Sequence, residues 1–100
     1  LPSPGTIEEL YFPGGKGVRI DSHIYRGYAI PPYYDSLIAK IIIHGENRKE
    51  CLEKARCALS EFAIDGVQTT AELHKKLVRN DDIINGNFDI HWLQNNFRRL

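Results

Sequence analysis

The chain has 100 residues, of which 42% are hydrophobic and 26% are charged, the composition of one globular domain. This composition excludes a mainly disordered chain, because enough apolar surface is present to offset the entropy of folding. Thirteen Lys and Arg balance thirteen Asp and Glu, and this zero net charge argues against nucleic acid as a partner. No stretch approaches the roughly 18 apolar residues of a membrane span, so a membrane is not expected as a partner either.

The first residues and the cysteines bear on where the protein works. The chain begins at Leu1 without a Met or a signal-peptide pattern, and we expect it to be a segment of a longer protein. Cys51 and Cys57 lie six residues apart in a helical pattern, which places them on different faces and disfavours a disulfide. This cysteine usage favours a reducing, cytoplasmic location.

The first half of the chain predicts β-strands. Strands are predicted at residues 6–12 and 18–21, with a glycine-rich hairpin turn at residues 14–17 between them. A further short strand is predicted at residues 23–29. The nearly unbroken apolar run at residues 37–43 predicts a central strand covered on both faces.

The second half lacks proline and predicts three helices. Asn47 and Glu50 have the spacing of a capping box and predict the start of the first helix. A second capping box at residues 69–72 predicts a shorter helix that ends near Asn80, and Asp89 is predicted to cap a third. The predicted apolar faces are Leu52, Ala55, Leu59 and Phe62 on the first helix, Leu73 and Leu77 on the second, and Ile90, Leu93 and Phe97 on the third.

The order of these elements predicts an α+β fold. We expect an antiparallel sheet of three or more strands from the N-terminal half, with about three helices from the C-terminal half packed on it. The whole chain, residues 1–100, is expected to form one domain.

Several motifs allow a functional and a purely structural interpretation. The glycine-rich segment 14–17 could be a phosphate-binding loop or a turn. A phosphate-binding loop has a Ser or Thr after its Lys and leads into a helix, and this segment has neither, so a turn is favoured. The four histidines have no metal-ligand spacing. His91, beside two apolar residues, either lines an aromatic-ligand pocket or packs in the core. Asp35 precedes the predicted buried strand and is a buried acid, an ion-pair partner at an interface or a turn cap.

Five strings in register carry a resemblance to a known family. The chain resembles the C-terminal domain of biotin carboxylase, the subunit of bacterial acetyl-CoA carboxylase, and the likeness covers essentially all residues. The strings are Leu1-Pro2-Ser3-Pro4-Gly5, Pro13-Gly14-Gly15-x-Gly17-Val18-Arg19, Pro31-Pro32-Tyr33-Tyr34-Asp35-Ser36-Leu37-Ile38-Ala39-Lys40, Ile64-Asp65-Gly66-Val67-Gln68-Thr69 and Gly86-Asn87-Phe88-Asp89-Ile90-His91.

The resemblance implies a part of an ATP-grasp ligase. Such an enzyme uses ATP with Mg2+ to activate bicarbonate and then carboxylates biotin on a biotin carboxyl carrier protein. The metal ligands and main catalytic groups would lie outside this chain, so we expect no catalytic residue in it and no activity from it alone. The implied partners are the N-terminal and ATP-grasp portions of the parent chain and a second copy of the biotin carboxylase.

The resemblance also implies roles for individual residues. Ile90 and His91 match positions that border the adenine end of the nucleotide pocket. Arg19 matches a residue at the homodimer interface, and Asp35 matches one that pairs there with a basic residue from the N-terminal part. Lys16 stands where bacterial relatives often have a large apolar residue at the dimer contact.

Two other functions remain open at this point. A free-standing interaction module could share this fold without any enzyme attached to it. A small nucleic-acid-binding domain is a further alternative, because aromatic side chains and a cation are mixed at Tyr25, Arg26, Tyr28, Tyr33 and Tyr34. The zero net charge favours sheet packing as the role of these residues.

Overall fold

The computed structural model describes residues 5–31 and 37–100, and this part of the chain has an α+β architecture. In chain order its elements are β1 (Gly5–Thr6), β2 (Glu9–Tyr11), β3 (Val18–Ser22), β4 (Ala29–Ile30), β5 (Ala39–Ile43), α1 (Arg48–Glu61), β6 (Ala63–Asp65), α2 (Ala71–Leu77), α3 (Asp81–Ile84) and α4 (Trp92–Asn96), followed by a 3-10 turn (Phe97–Arg99). None of the helices in these two ranges has both the length and the apolar character needed to cross a bilayer.

The strands pair as three antiparallel ladders, β1 with β4, β2 with β6 and β3 with β5. The antiparallel pairing was predicted, but the described residues form no sheet of three or more strands. The reason lies at Ile7, which is fully buried and whose N–H bonds the carbonyl of Tyr28 at 2.9 Å. The next residue, Glu8, donates instead to the carbonyl of Asp65 at 2.8 Å. The predicted strand 6–12 is therefore split between two partners.

The glycine-rich segment forms a turn but not the predicted hairpin. The N–H of Val18 bonds the carbonyl of Gly15 at 3.2 Å, which closes the turn. The carbonyl of Gly17 then accepts from the N–H of His44 at 2.8 Å, so the chain pairs β3 with β5 rather than with β2.

Two further strand predictions differ from the structure. Of the predicted strand 23–29 only Ala29 lies in a strand, β4 (Ala29–Ile30), because the residues before it form a turn in which the N–H of Tyr28 donates to the carbonyl of Tyr25 at 3.0 Å. The apolar run does form β5, but exposed and half-buried residues alternate along it and Ile42 is 40% exposed. The prediction that both faces are covered is therefore wrong within the described chain.

Helix α1 begins as its capping motif predicts. The side-chain oxygen of Asn47 accepts from the N–H of Glu50 at 2.9 Å. The carboxylate of Glu50 forms an ion pair with Lys54, one turn further along α1, at 2.9 Å. The hydrogen bond from Lys54 lowers the pKa of the Glu50 carboxyl. The helix ends at Glu61, and the chain enters β6, a strand in the C-terminal half that the sequence did not predict. The buried residues of the described chain are Pro13 and the core residues Ile7, Ile24, Ala58, Leu59, Phe62 and Trp92.

The last third of the chain contains one more helix than predicted. Helix α2 ends at Leu77, and α3 follows it immediately after Asn80. The carboxylate of Asp89 does accept from a helix N-terminus, from the N–H of His91 at 2.9 Å, but α4 begins only at Trp92. The predicted packing face is therefore wrong: Trp92 is buried, whereas Ile90, Leu93 and Phe97 are exposed.

Candidate functional site

Ile90 and His91 lie next to each other at the end of the loop that joins α3 to α4. The side chain of Ile90 is 92% exposed, an extreme value for a large aliphatic residue. His91 is also exposed, and its imidazole has no hydrogen-bond partner among the described residues. The turn presents one apolar surface and one accessible imidazole side by side.

The backbone of this turn is well defined by hydrogen bonds. Asp89 accepts two hydrogen bonds here, through its side chain from the N–H of His91 and through its carbonyl from the N–H of Trp92 at 3.1 Å. The carbonyl of His91 accepts from the N–H of Asn95 at 3.1 Å and so begins the helical bonding of α4. The direction in which Ile90 projects is therefore set by local structure.

Sequence reasoning missed two residues that support this turn, Asp82 and Trp92. The indole Nε1 of Trp92 donates to the Oδ2 of Asp82 at 2.9 Å and connects α4 with α3. A signal was available, since Trp92 is the one tryptophan of the chain and large aromatic residues are usually core anchors. The predicted helical face, chosen to begin at Ile90, placed Trp92 on the wrong side.

Arg19 lies on the exposed face of β3. Its guanidinium donates from Nε to Asp21 Oδ1 at 3.0 Å and from Nη2 to Oδ2 at 2.9 Å, a bidentate pair. These hydrogen bonds lower the pKa of the Asp21 carboxyl and raise the pKa of Arg19. Lys40, directly opposite Asp21 on β5, adds a smaller lowering of the carboxyl pKa through its charge.

The other predicted interface residues occupy different positions. Lys16 is exposed in the turn that leads into β3, two residues before that strand begins, and so lies near Arg19 in the chain. Asp35 lies outside the described residues. Within the described residues, no hydrogen bond or ion pair connects these cations with Ile90 or His91. The predicted site residues that the structure describes thus belong to two elements, Lys16 and Arg19 to β3 and the turn before it, Ile90 and His91 to the start of α4.

Residues 5–31 and 37–100 contain no group of three or more His, Cys, Asp or Glu that could hold a metal ion. His23 packs its ring edge-on against Tyr28, with centroids 5.6 Å apart, as a packing role requires. The Ile90–His91 turn offers an exposed aliphatic side chain for apolar contact and an imidazole whose ring nitrogens can take part in hydrogen bonds.

Comparison with known proteins identifies the family. A model of the "Biotin carboxylase C-terminal domain" matches residues 1–95. Over 94 residues the chain is 49% identical to the biotin carboxylase of Pseudomonas aeruginosa, which covers 94% of this chain and 21% of that protein. Over 92 residues it is 45% identical to one of the pyruvate carboxylase subunits of Methanothermobacter thermautotrophicus, covering 92% of this chain and 19% of that protein.

A solved structure gives the same result. The biotin carboxylase domain dimer of the Hydrogenobacter thermophilus 2-oxoglutarate carboxylase, in complex with MgADP, ADP and bicarbonate, superimposes with a TM-score of 0.92 at 38% identity. The match covers 96% of this chain and 21% of that one, so the chain spans about a fifth of the length of these relatives. The chain belongs to the family of biotin carboxylase C-terminal domains.

Proposed function

We propose that residues 1–100 are the C-terminal domain of an ATP-dependent biotin carboxylase. The whole enzyme would use ATP with Mg2+ to carboxylate biotin with bicarbonate and would release ADP and phosphate. This chain would supply a wall of the nucleotide pocket and part of the homodimer surface. The observation that carries the proposal is the 92% exposure of Ile90, beside an imidazole that no described residue pairs with, in a chain of this family.

The exposed turn fits one end of ATP and not the other. Covering a fully exposed isoleucine contributes roughly 2 kcal/mol, which the face of an adenine ring can supply. The imidazole of His91 can contact the edge of the base through a ring nitrogen. The described residues hold no cluster of metal ligands, so the groups that bind Mg2+ and the phosphates would come from the rest of the enzyme.

The face that carries Arg19 is the proposed dimer surface. Lys16 lies close to it in the chain, and the relative from Hydrogenobacter thermophilus is described as a dimer. We propose that Asp35 forms an ion pair at this surface with a basic residue from the N-terminal part of the enzyme. A buried pair of this kind fixes geometry more than it adds stability.

The shape of the chain supports its role as part of a larger body. Its radius of gyration is 14.5 Å, whereas a compact domain of about 100 residues has about 13 Å. Large apolar side chains remain exposed in the described residues, as expected if other parts of the enzyme cover them. They are Tyr11, Tyr25, Leu37, Ile42, Phe88, Ile90, Leu93 and Phe97.

We propose further that the parent enzyme is the biotin carboxylase component of an acetyl-CoA carboxylase, works in the cytoplasm in fatty-acid synthesis, and carboxylates a biotin carboxyl carrier protein. The 49% identity to the biotin carboxylase of Pseudomonas aeruginosa, against 45% to the pyruvate carboxylase subunit, supports this assignment. The family also includes relatives from pyruvate and 2-oxoglutarate carboxylases. Comparing acetyl-CoA, pyruvate and 2-oxoglutarate as carboxyl acceptors in the reconstituted enzyme distinguishes these cases.

The test of the main proposal is bicarbonate-dependent ATP cleavage in the presence of free biotin and Mg2+. The chain alone is expected to be inactive, and addition of the N-terminal portion of the parent enzyme is expected to restore turnover. Turnover by the chain alone would contradict the assignment of the catalytic groups to the rest of the enzyme. If the two parts associate but the mixture shows no turnover, the result favours the alternative that this chain is an interaction module that shares the fold without the enzymatic activity.

A further inference from the structure

One buried side chain, that of Trp92, connects α4 with α3. Trp92 is 8% exposed, whereas His91 and Leu93 on either side of it are exposed. A buried indole N–H normally requires a hydrogen-bond partner, and here that partner is the carboxylate of Asp82, 2.9 Å away. The first residue of α4 is therefore fixed both by burial and by a charge-assisted hydrogen bond.

Asp82 is itself held from two further directions. Its N–H donates to the side-chain oxygen of Asn80 at 2.9 Å, which caps α3. Its carbonyl accepts from the N–H of Asn87 at 2.7 Å. Asp82 thus contacts the loop near its beginning, through Asn87, and the helix after its end, through Trp92.

A second support reaches the same loop from α1. Arg48, the first residue of α1, donates from Nε to the carbonyl of Ile84 at 3.2 Å and from Nη2 to the carbonyl of Ile83. Its guanidinium also lies over the ring of Phe88, 5.6 Å from the centroid. The end of α3 and the middle of the loop are therefore attached to the longest helix of the described chain.

We propose that Asp82 and Trp92 are positioning residues for the adenine end of ATP, acting through Ile90 and His91. This inference rests on the proposed function of the turn. A turn anchored at both ends binds its ligand without first losing conformational freedom, which improves affinity without any additional contact. Neither Asp82 nor Trp92 needs to touch the nucleotide.

The test uses the full-length carboxylase and separates the KM for ATP from the other kinetic constants. Asp82→Ala and Trp92→Phe each remove one side of the hydrogen bond, and we expect each to raise the KM for ATP roughly three- to tenfold. The kcat and the KM for bicarbonate should stay within about twofold, since the reacting groups lie elsewhere. Asp81→Ala is the matched control, because it removes an exposed carboxylate of the same helix that has no hydrogen-bond partner in the described chain.

Two further measurements distinguish positioning from a general loss of structure. Asp82→Asn keeps an oxygen that can accept from the indole and is expected to recover most of the ATP affinity. In the double variant Asp82→Ala with Trp92→Phe, the KM for ATP should be no higher than in the more strongly affected single variant, because both changes remove the same interaction. A parallel fall in kcat without rescue by Asp82→Asn, or additive effects in the double variant, would overturn the proposal.

Variants of the turn separate this inference from the proposed function on which it rests. Ile90→Ala and His91→Ala should each raise the KM for ATP directly. If they do and the Asp82 and Trp92 variants do not, the positioning role is wrong while the nucleotide site stands. If neither Ile90→Ala nor His91→Ala changes the KM for ATP, the assignment of this turn to the nucleotide is wrong and the inference fails with it.

Discussion

Arg19 and Asp21 form a bidentate ion pair between side chains two positions apart on β3, with N to O distances of 3.0 and 2.9 Å. Residues spaced by two point to the same face of a strand, so the pair lies flat on the exposed side of the sheet. Lys40 stands opposite Asp21 on β5. Within this chain, the proposed dimer face therefore carries two cations, Arg19 and Lys40, next to the carboxylate of Asp21.

The first prediction concerns the titration of Asp21. Because the hydrogen bonds from Arg19 lower its pKa, the replacement Arg19→Gln should raise that pKa toward the ordinary value of 3.8. Carbon-13 NMR titration of the Asp21 carboxyl measures the change. Since the folded pKa is lower than the unfolded one, the stabilisation by this pair is present above about pH 3.8 and is lost as the pH falls through the lowered value. An unchanged midpoint in Arg19→Gln would show that the pair does not form in solution.

The second prediction concerns dimerisation of the full-length carboxylase. Arg19→Glu places a second carboxylate beside Asp21 and should weaken the dimer by tenfold or more, since like charges at an interface cost roughly several kcal/mol. Arg26→Glu is the matched control, because Arg26 is also 72% exposed and also ion-paired, with Glu9 at 3.2 Å. Sedimentation velocity over a concentration series measures both. If the two variants weaken the dimer equally, Arg19 is not part of the dimer interface.

The third prediction concerns the start of α1. Asn47→Ala removes the side-chain oxygen that accepts from Glu50 N–H, and the loss of an N-cap costs about 1 kcal/mol. Asn47→Asp keeps an acceptor and should retain the stability. Urea unfolding of the carboxylase, followed by the circular dichroism of the helices, compares the two variants. A destabilisation of the same size in Asn47→Asp would show that the cap is not the cause.

Local signals in the sequence were sufficient for α1, β3 and the turn at residues 14–17. Each of these signals depends only on residues a few positions apart in the chain: the cap at Asn47, the alternating pattern around Arg19 and the glycines of the turn. The strand partners could not be derived this way, because the break at Ile7 depends on carbonyls that are distant in sequence. Strand β6 was missed for the same reason, since its three residues become a strand only against β2.

In the candidate site, too, the contacts between residues distant in sequence could not be predicted. The positions of Ile90, His91, Arg19 and Lys16 came from a resemblance, and the residues around them gave only an open choice for His91. The support of the turn by Asp82 joins residues ten positions apart across two short helices. No periodic pattern encodes such a contact, because α3 and α4 are each too short for an apolar stripe to define a face.

The last prediction concerns Gly17, which directly precedes β3. Its φ of +82° is rarely adopted by other residues, and an added Cβ would lie 2.5 Å from the carbonyl oxygen of His44, a backbone atom that cannot move without disturbing the β3–β5 ladder. Gly17→Ala should therefore destabilise the carboxylase by about 2 kcal/mol or more. Gly14→Ala is the matched control in the same turn, with no atom within 4 Å of its added Cβ, and should leave the midpoint of thermal unfolding nearly unchanged. Because β3 also carries Arg19, Gly17→Ala should weaken the dimer as well, whereas equal stability of the two variants would show that the turn tolerates a different path.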